Sequence, residues 1–168
     1  MIQISLDTSF LISFADPNRP HHTTAVDSFR HCLAQRIPMW ISTVAAGEFE
    51  VKQSISDLPL QNFCIQPYNL PHAIRAAALF RALQEGNSDS DDDARRIIIN
   101  DLKIIAQAEE EQFSVILTED ANTLSRIVSR LCRQNASCVR VLLLADGFAP
   151  GRLENPSQGE FKMPAPIV

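Results

Sequence analysis

Apolar residues recur along this chain in two alternating rhythms. Short apolar or alternating runs at residues 2–6, 38–42, 63–66, 114–118 and 138–144 read as strands. Between them apolar positions fall three and four apart, which predicts helices over 8–16, 21–36, 43–54, 71–85 and 119–135. In the second of these, Ala25, Phe29, Cys32 and Leu33 share a face. Pro71 sits in the first turn of the 71–85 helix and Gly86 follows its end, both suited to those places. The run ARRIIINDLKIIAQAEEEQF (94–113) is also helical, opening near Asp91 or restarting at Asn100-Asp101. Five strands separated by helices predict an α/β fold: a three-layer α/β/α sandwich around a mostly parallel five-stranded sheet.

Punctuation divides the chain. DPNRP (16–20) is a proline-broken loop, and GNSDSDDD (86–93) is an acidic, solvated one. Residues 1–146 are expected to form one domain. Residues 147–168, rich in proline and glycine and without a period, are expected to form an extended tail.

Composition narrows the class. A chain of 168 residues with 45% hydrophobic and 21% charged positions can bury one substantial core. Nothing approaches the roughly 20 apolar residues of a membrane span. No basic segment followed by an apolar one marks a leader, so the expected location is the cytoplasm and no membrane partner is expected. A net charge of -5 argues against a broad basic nucleic-acid footprint. It still admits a nuclease whose carboxylates hold cations. Cys32, Cys64, Cys132 and Cys138 show neither C-x-x-C nor zinc-ligand spacing, and read as reduced, buried thiols.

The informative acids fall on apolar stripes, where a carboxylate is costly unless paired or metal-bound. Glu48 shares a helical stripe with Val44, Val51 and Ile55, whereas Glu50 lies on a polar face. Asp120 aligns with Leu124, Ile127 and Leu131; its neighbour Glu119 aligns with Thr123, Arg126, Arg130 and Arg133, a solvated face. Asp101 lies among Ile97, Ile98, Ile104, Ile105 and Ala108. Asp7 ends the first strand. Ligands of open α/β sheets bind outside the carboxyl ends of the strands, and Asp7, Glu48 and Asp120 belong to that edge by topology. Asp101 reaches it if the start of its helix faces the same way. Four carboxylates in one pocket repel one another and would raise their own pKa values. A divalent ion relieves this, and an all-oxygen set without Cys or His suits Mg²⁺ or Mn²⁺. Such an ion orients a phosphate, activates water and stabilises a leaving oxygen. Taken singly, Asp7 and Asp120 are equally explained as helix N-caps.

Four stretches occur in order: D7-T-S, STVAAGE ending at Glu48, N100-D-L-K-I-I-A-Q-A, and V115-I-L-T-E-D120. Together they resemble the PIN-domain ribonucleases, and within them the VapC-type toxins of toxin–antitoxin pairs, over roughly residues 2–145. The resemblance implies that Asp7, Glu48 and Asp101 hold the metal directly or through water, that Asp120 completes the set, and that Ser9 and Thr118 support it. It also implies metal-dependent hydrolysis of RNA phosphodiesters leaving a 5′-phosphate, an antitoxin protein as partner, and a homodimer. The acidic segment before Asp101 and the tail beyond residue 146 depart from the family pattern.

Candidate substrate contacts are Arg19, Arg126, Arg130 and Arg133, with Arg95 and Arg96 near Asp101. His21, His22, His31 and His72 read as structural, with His22 capping or packing near a helix start. Two other readings compete. A non-catalytic PIN-like module, used in assembly or RNA processing, would be expected to lose its acids. A receiver-like signalling domain needs an Asp ending a middle strand and a late Lys; the third strand carries none, and residues 139–146 end in Ala145-Asp146.

Overall fold

The structure, a computed structural model, describes residues 2–84, 92–137 and 139–154, with no side-chain detail for 92–97 and 154. Residues 86–91 of the acidic loop expected over 86–93, the side chains of Arg95 and Arg96, Cys138 and the tail 155–168 lie outside the described residues, and Asp92 and Asp93 belong to a helix instead.

Five short strands form one sheet: β1 (Ile4–Leu6), β2 (Met39–Ser42), β3 (Cys64–Gln66), β4 (Val115–Thr118) and β5 (Val141–Leu143). Every pairing is parallel, in the order β3-β2-β1-β4-β5. The central strands β1 and β4 are buried throughout, the polar Ser5 and Thr118 included. Helices α1 (Thr8–Ala15), α2 (His22–Ala34) and α3 (Thr43–Glu50) follow β1 and β2. Helices α4 (Leu70–Gln84), α5 (Asp92–Glu110) and α6 (Leu124–Arg133) follow β3 and β4 and pack against one another. With the right-handed crossovers that parallel strands require, the two groups cover opposite faces, which makes the three layers. The core runs through both, from Phe10, Leu11 and Phe49 to Leu79, Leu102 and Ile105.

Three helices end alike. Arg36, Gln112 and Asn135 adopt positive φ after α2, α5 and α6. Ile37, Phe113 and Ala136 then donate backbone N–H groups to Cys32, Ala108 and Leu131 at 2.8, 2.8 and 2.9 Å. These closing bonds return the chain to the amino edge of the sheet.

Several expected elements are shorter than their periodicity. The helix expected over 43–54 stops at Glu50, and Val51 is 85% exposed. The helix expected from 119 starts only at Leu124, because Asp120 holds the preceding residues in a turn. Conversely, α5 runs unbroken from Asp92. Residues 150–154, expected within an extended tail, form a short helix, α7 (Pro150–Glu154), whose Leu153 is 3% exposed. Leu153 lies across a small cavity from Thr24 and Ser28 of α2, so apolar burial holds this segment to the domain.

Candidate metal centre at the carboxyl edge of the sheet

From β1 the chain moves outward through β2 to β3, then returns to β4 on the other side of β1. The crevice between the carboxyl ends of β1 and β4 is therefore the switch point. Asp7 stands there, its N–H bonded to Leu117 O at 3.1 Å as the ladder's last rung. It is also the N-cap of α1. Only 5% of Asp7 is exposed, and burial lifts its pKa against the opposing pull of hydrogen bonds from Ser9 and Thr118. Ser9 Oγ and Thr118 Oγ1 each lie 2.7 Å from Asp7 Oδ2 and 2.9 Å from each other. Ser9 Oγ accepts from Glu119 N at 2.8 Å, and Thr118 Oγ1 accepts from Asp120 N at 2.9 Å. The two hydroxyls thus tie the buried aspartate to the chain leaving β4.

Glu48 comes from α3. Both its oxygens are held: Thr8 Oγ1 donates to Oε2, and Asn100 Nδ2 donates to Oε1 at 2.7 Å. The stripe expected for Glu48 is not its environment. The buried face of α3 is Ala45 and Phe49, with Val51 in solvent, and Glu48 sits at the border of that face. Asp120 likewise precedes α6 rather than lying on it. Its Oδ1 accepts from Asn122 N at 2.8 Å and Thr123 N at 2.7 Å, the geometry of a carboxylate-stabilised turn.

Asp101 differs from the other three. Its Oδ2 is buried and has no hydrogen-bond partner among the described residues. Burial, and then the charges of Asp7, Asp120 and Glu48, push its carboxyl up to about 8. Asp101 is therefore within electrostatic reach of each of the other three acids expected to share its site. Among the described residues no group of three Asp, Glu, His or Cys side chains could hold an ion as the side chains now stand. Even so, the donors fit a hard divalent cation: all oxygen, crowded, with one buried oxygen unmatched. A cation among them would reverse the strain that raises Asp101.

Glu119 turns away from this group, as expected, but toward different partners. Ser13 Oγ and Arg19 Nη2 each bond Glu119 Oε2 at 2.6 Å. Burial alone would raise its pKa; these bonds and the Arg19 charge outweigh that and lower it. Arg19 is thereby engaged, and Arg130 donates to Leu83 O at 2.6 Å. Arg126 is exposed and makes no hydrogen bond or ion pair among the described residues. His22 Nδ1 lies 3.0 Å from Ser13 O, consistent with packing. His72, fully buried, bonds Glu111. Thr8 and Asn100 were not singled out from sequence. Their signal was adjacency, since each neighbours an acid of the set.

The sequence matches the PIN domain family over residues 4–128, and the chain belongs to that family. Solved structures share the fold. VapBC2 from Rickettsia felis, bound to a DNA fragment from its promoter, is 15% identical, with a TM-score of 0.56, covering 84% of this chain and 98% of its own. DNA-bound VapBC from Salmonella typhimurium is 17% identical, with a TM-score of 0.55, covering 86% and 99%. VapC20 from Mycobacterium tuberculosis, a sarcin–ricin loop cleaving toxin, is 15% identical, with a TM-score of 0.50, covering 74% and 94%. The comparison with curated proteins gave no significant match. Among the described residues, no helix is long and apolar enough to cross a membrane.

Proposed function

We propose that this chain is an endoribonuclease dependent on Mg²⁺ or Mn²⁺, and that it is a toxin restrained by an antitoxin protein. The observation that carries the nuclease reading is Asp101 Oδ2, buried without a partner beside three further carboxylates. Membership of the PIN family and a fold shared with VapBC complexes and an RNA-cleaving toxin support the rest. Asp7, Glu48, Asp101 and Asp120 would hold the ion. When bound, a divalent ion supplies the charge that orients a scissile phosphate and lowers the pKa of an attacking water. The chain's own part is positioning. Ser9 and Thr118 fix Asp7, Thr8 and Asn100 fix Glu48, and the turn at Asn122-Thr123 fixes Asp120. Carboxylates held this way lose little freedom on loading. RNA, the antitoxin and a second copy of the chain are the expected partners.

Incubation of the purified protein with single-stranded RNA tests the reading. Cleavage with Mg²⁺ or Mn²⁺, products ending in 5′-phosphate, and arrest by chelator are expected. RNA left intact, with stable protein complexes still formed, would instead mark a non-catalytic assembly module.

A further inference from the structure

Two of the arginines expected to meet substrate are occupied, Arg19 by Glu119 and Arg130 by Leu83 O. A different cation stands beside the acids. Lys103 lies on α5, two residues past Asp101 and half-buried. Its Nζ donates to Asn100 Oδ1 at 3.2 Å, and Asn100 in turn donates to Glu48 Oε1 at 2.7 Å. The ammonium is thus one side chain removed from Glu48. Arg19, Arg75 and Arg152 each have a carboxylate partner, whereas Lys103 has none among the described residues.

The ammonium is also held from a second side. Its Nζ sits 5.9 Å from the centroid of the Tyr68 ring, within the range of a cation–π contact. Tyr68 is itself fixed, its N–H bonded to Thr43 Oγ1 at 3.0 Å and its ring 5.9 Å from that of the buried His72. An ammonium has three N–H donors, and one bond to Asn100 leaves two unused. A half-buried, unneutralised cation at the rim of an acidic crevice is arranged for an anion the crevice alone would repel.

We propose that Lys103 binds an RNA phosphate next to the scissile one, on the β2–β3 side of the crevice. Asn100 stands between Lys103 and Glu48, so the ammonium meets a neighbouring phosphate and not the cleaved bond. Lysine suits this place because a point charge accepts a flexible strand at many angles. The inference rests on the ribonuclease reading.

Steady-state cleavage of a short single-stranded RNA at fixed Mg²⁺, over a range of KCl, tests it. Lys103→Met is expected to raise KM about tenfold and to change kcat little. It should also make log KM less steep in log salt by about 0.7, the share of one phosphate contact on a single strand. Lys103→Arg should restore most of the KM and the slope. Thermal melts of each variant verify that it is folded. An unchanged KM and slope overturns the proposal. So does a fall in kcat with KM unmoved, the signature of Lys103 acting only through Asn100 on Glu48. If wild-type protein does not cleave RNA with metal, the ribonuclease reading fails, and this inference with it; wild-type cleavage with an unaltered Lys103→Met variant overturns this inference alone.

Discussion

Thr118 Oγ1 donates to Asp7 Oδ2 at 2.7 Å across the switch point between β1 and β4, while accepting from Asp120 N. One buried hydroxyl therefore links two of the four acids. Thr118→Val keeps the shape and removes both bonds, leaving a buried carboxylate and a backbone N–H short of partners. The expected loss of stability is about 1–3 kcal/mol, read from urea denaturation. A loss below measurement would show that this link is unimportant to the fold.

Metal-free protein is expected to lose stability as pH rises from the ordinary aspartate range toward 8. Asp101, pushed up to about 8 by burial and by Asp7, Asp120 and Glu48, keeps its proton in the native state where the unfolded chain has released it. With more protons bound to the native state, stability falls as pH rises. The raised pKa of Asp7 acts in the same direction. A single group sets a ceiling of about 1.4 kcal/mol per pH unit, and partial solvent access keeps Asp101 below it. Denaturation in chelator at pH 5 and pH 7.5 measures the slope. Asp101→Asn should flatten it and Mg²⁺ should diminish it; an Asp101→Asn variant with the wild-type slope would contradict the assignment.

Glu119 and Asp120 are adjacent in sequence and opposite in environment. Glu119 is paired with Arg19 and bonded to Ser13, so Glu119→Gln should leave metal-dependent cleavage within about threefold. Asp120→Asn should lower it by about a hundredfold or more, beyond the usual cost of disturbing a ligand's support. Equal losses in initial-rate assays would refute the distinction.

The strands and the carboxylates beside them were legible because buried parallel strands are short, mostly apolar runs that end abruptly. Val115 to Thr118 followed by two acids is such a boundary. Glu48 lies at the border of the buried face of α3 and Asp120 ahead of α6, not on the apolar stripes that helical spacing predicts. Val51 is in solvent because α3 ends one residue before it, and Asp120 lies in a turn ahead of α6. Periodicity overruns helix ends, since it does not register where a side chain takes over the backbone N–H groups. The Arg19–Glu119 pair joins residues a hundred positions apart, and no local pattern carries it. No local pattern marks Lys103 either, because its setting is made by Asn100 and Tyr68 together.

Residues 150–154 also depart from the extended course expected of them, and α7 supplies a test. Leu153 is 3% exposed and belongs to the core cluster. Leu153→Ala should cost about 2–4 kcal/mol, and ending the chain after Asp146 should cost no less. Denaturant midpoints measure both, and an unaffected midpoint would return residues 150–154 to the status of an appendage.

The central claim is that Asp7, Glu48, Asp101 and Asp120 form one metal-dependent ribonuclease site. The most direct measurement is the initial rate of RNA cleavage at fixed Mn²⁺ for wild type and for Asp7→Asn, Glu48→Gln, Asp101→Asn and Asp120→Asn, each with and without chelator. The account predicts wild-type cleavage that chelator stops and excess Mn²⁺ restores, with all four variants reduced by about a hundredfold or more. Cleavage that survives chelation, or an Asp7→Asn enzyme as fast as wild type, would contradict it.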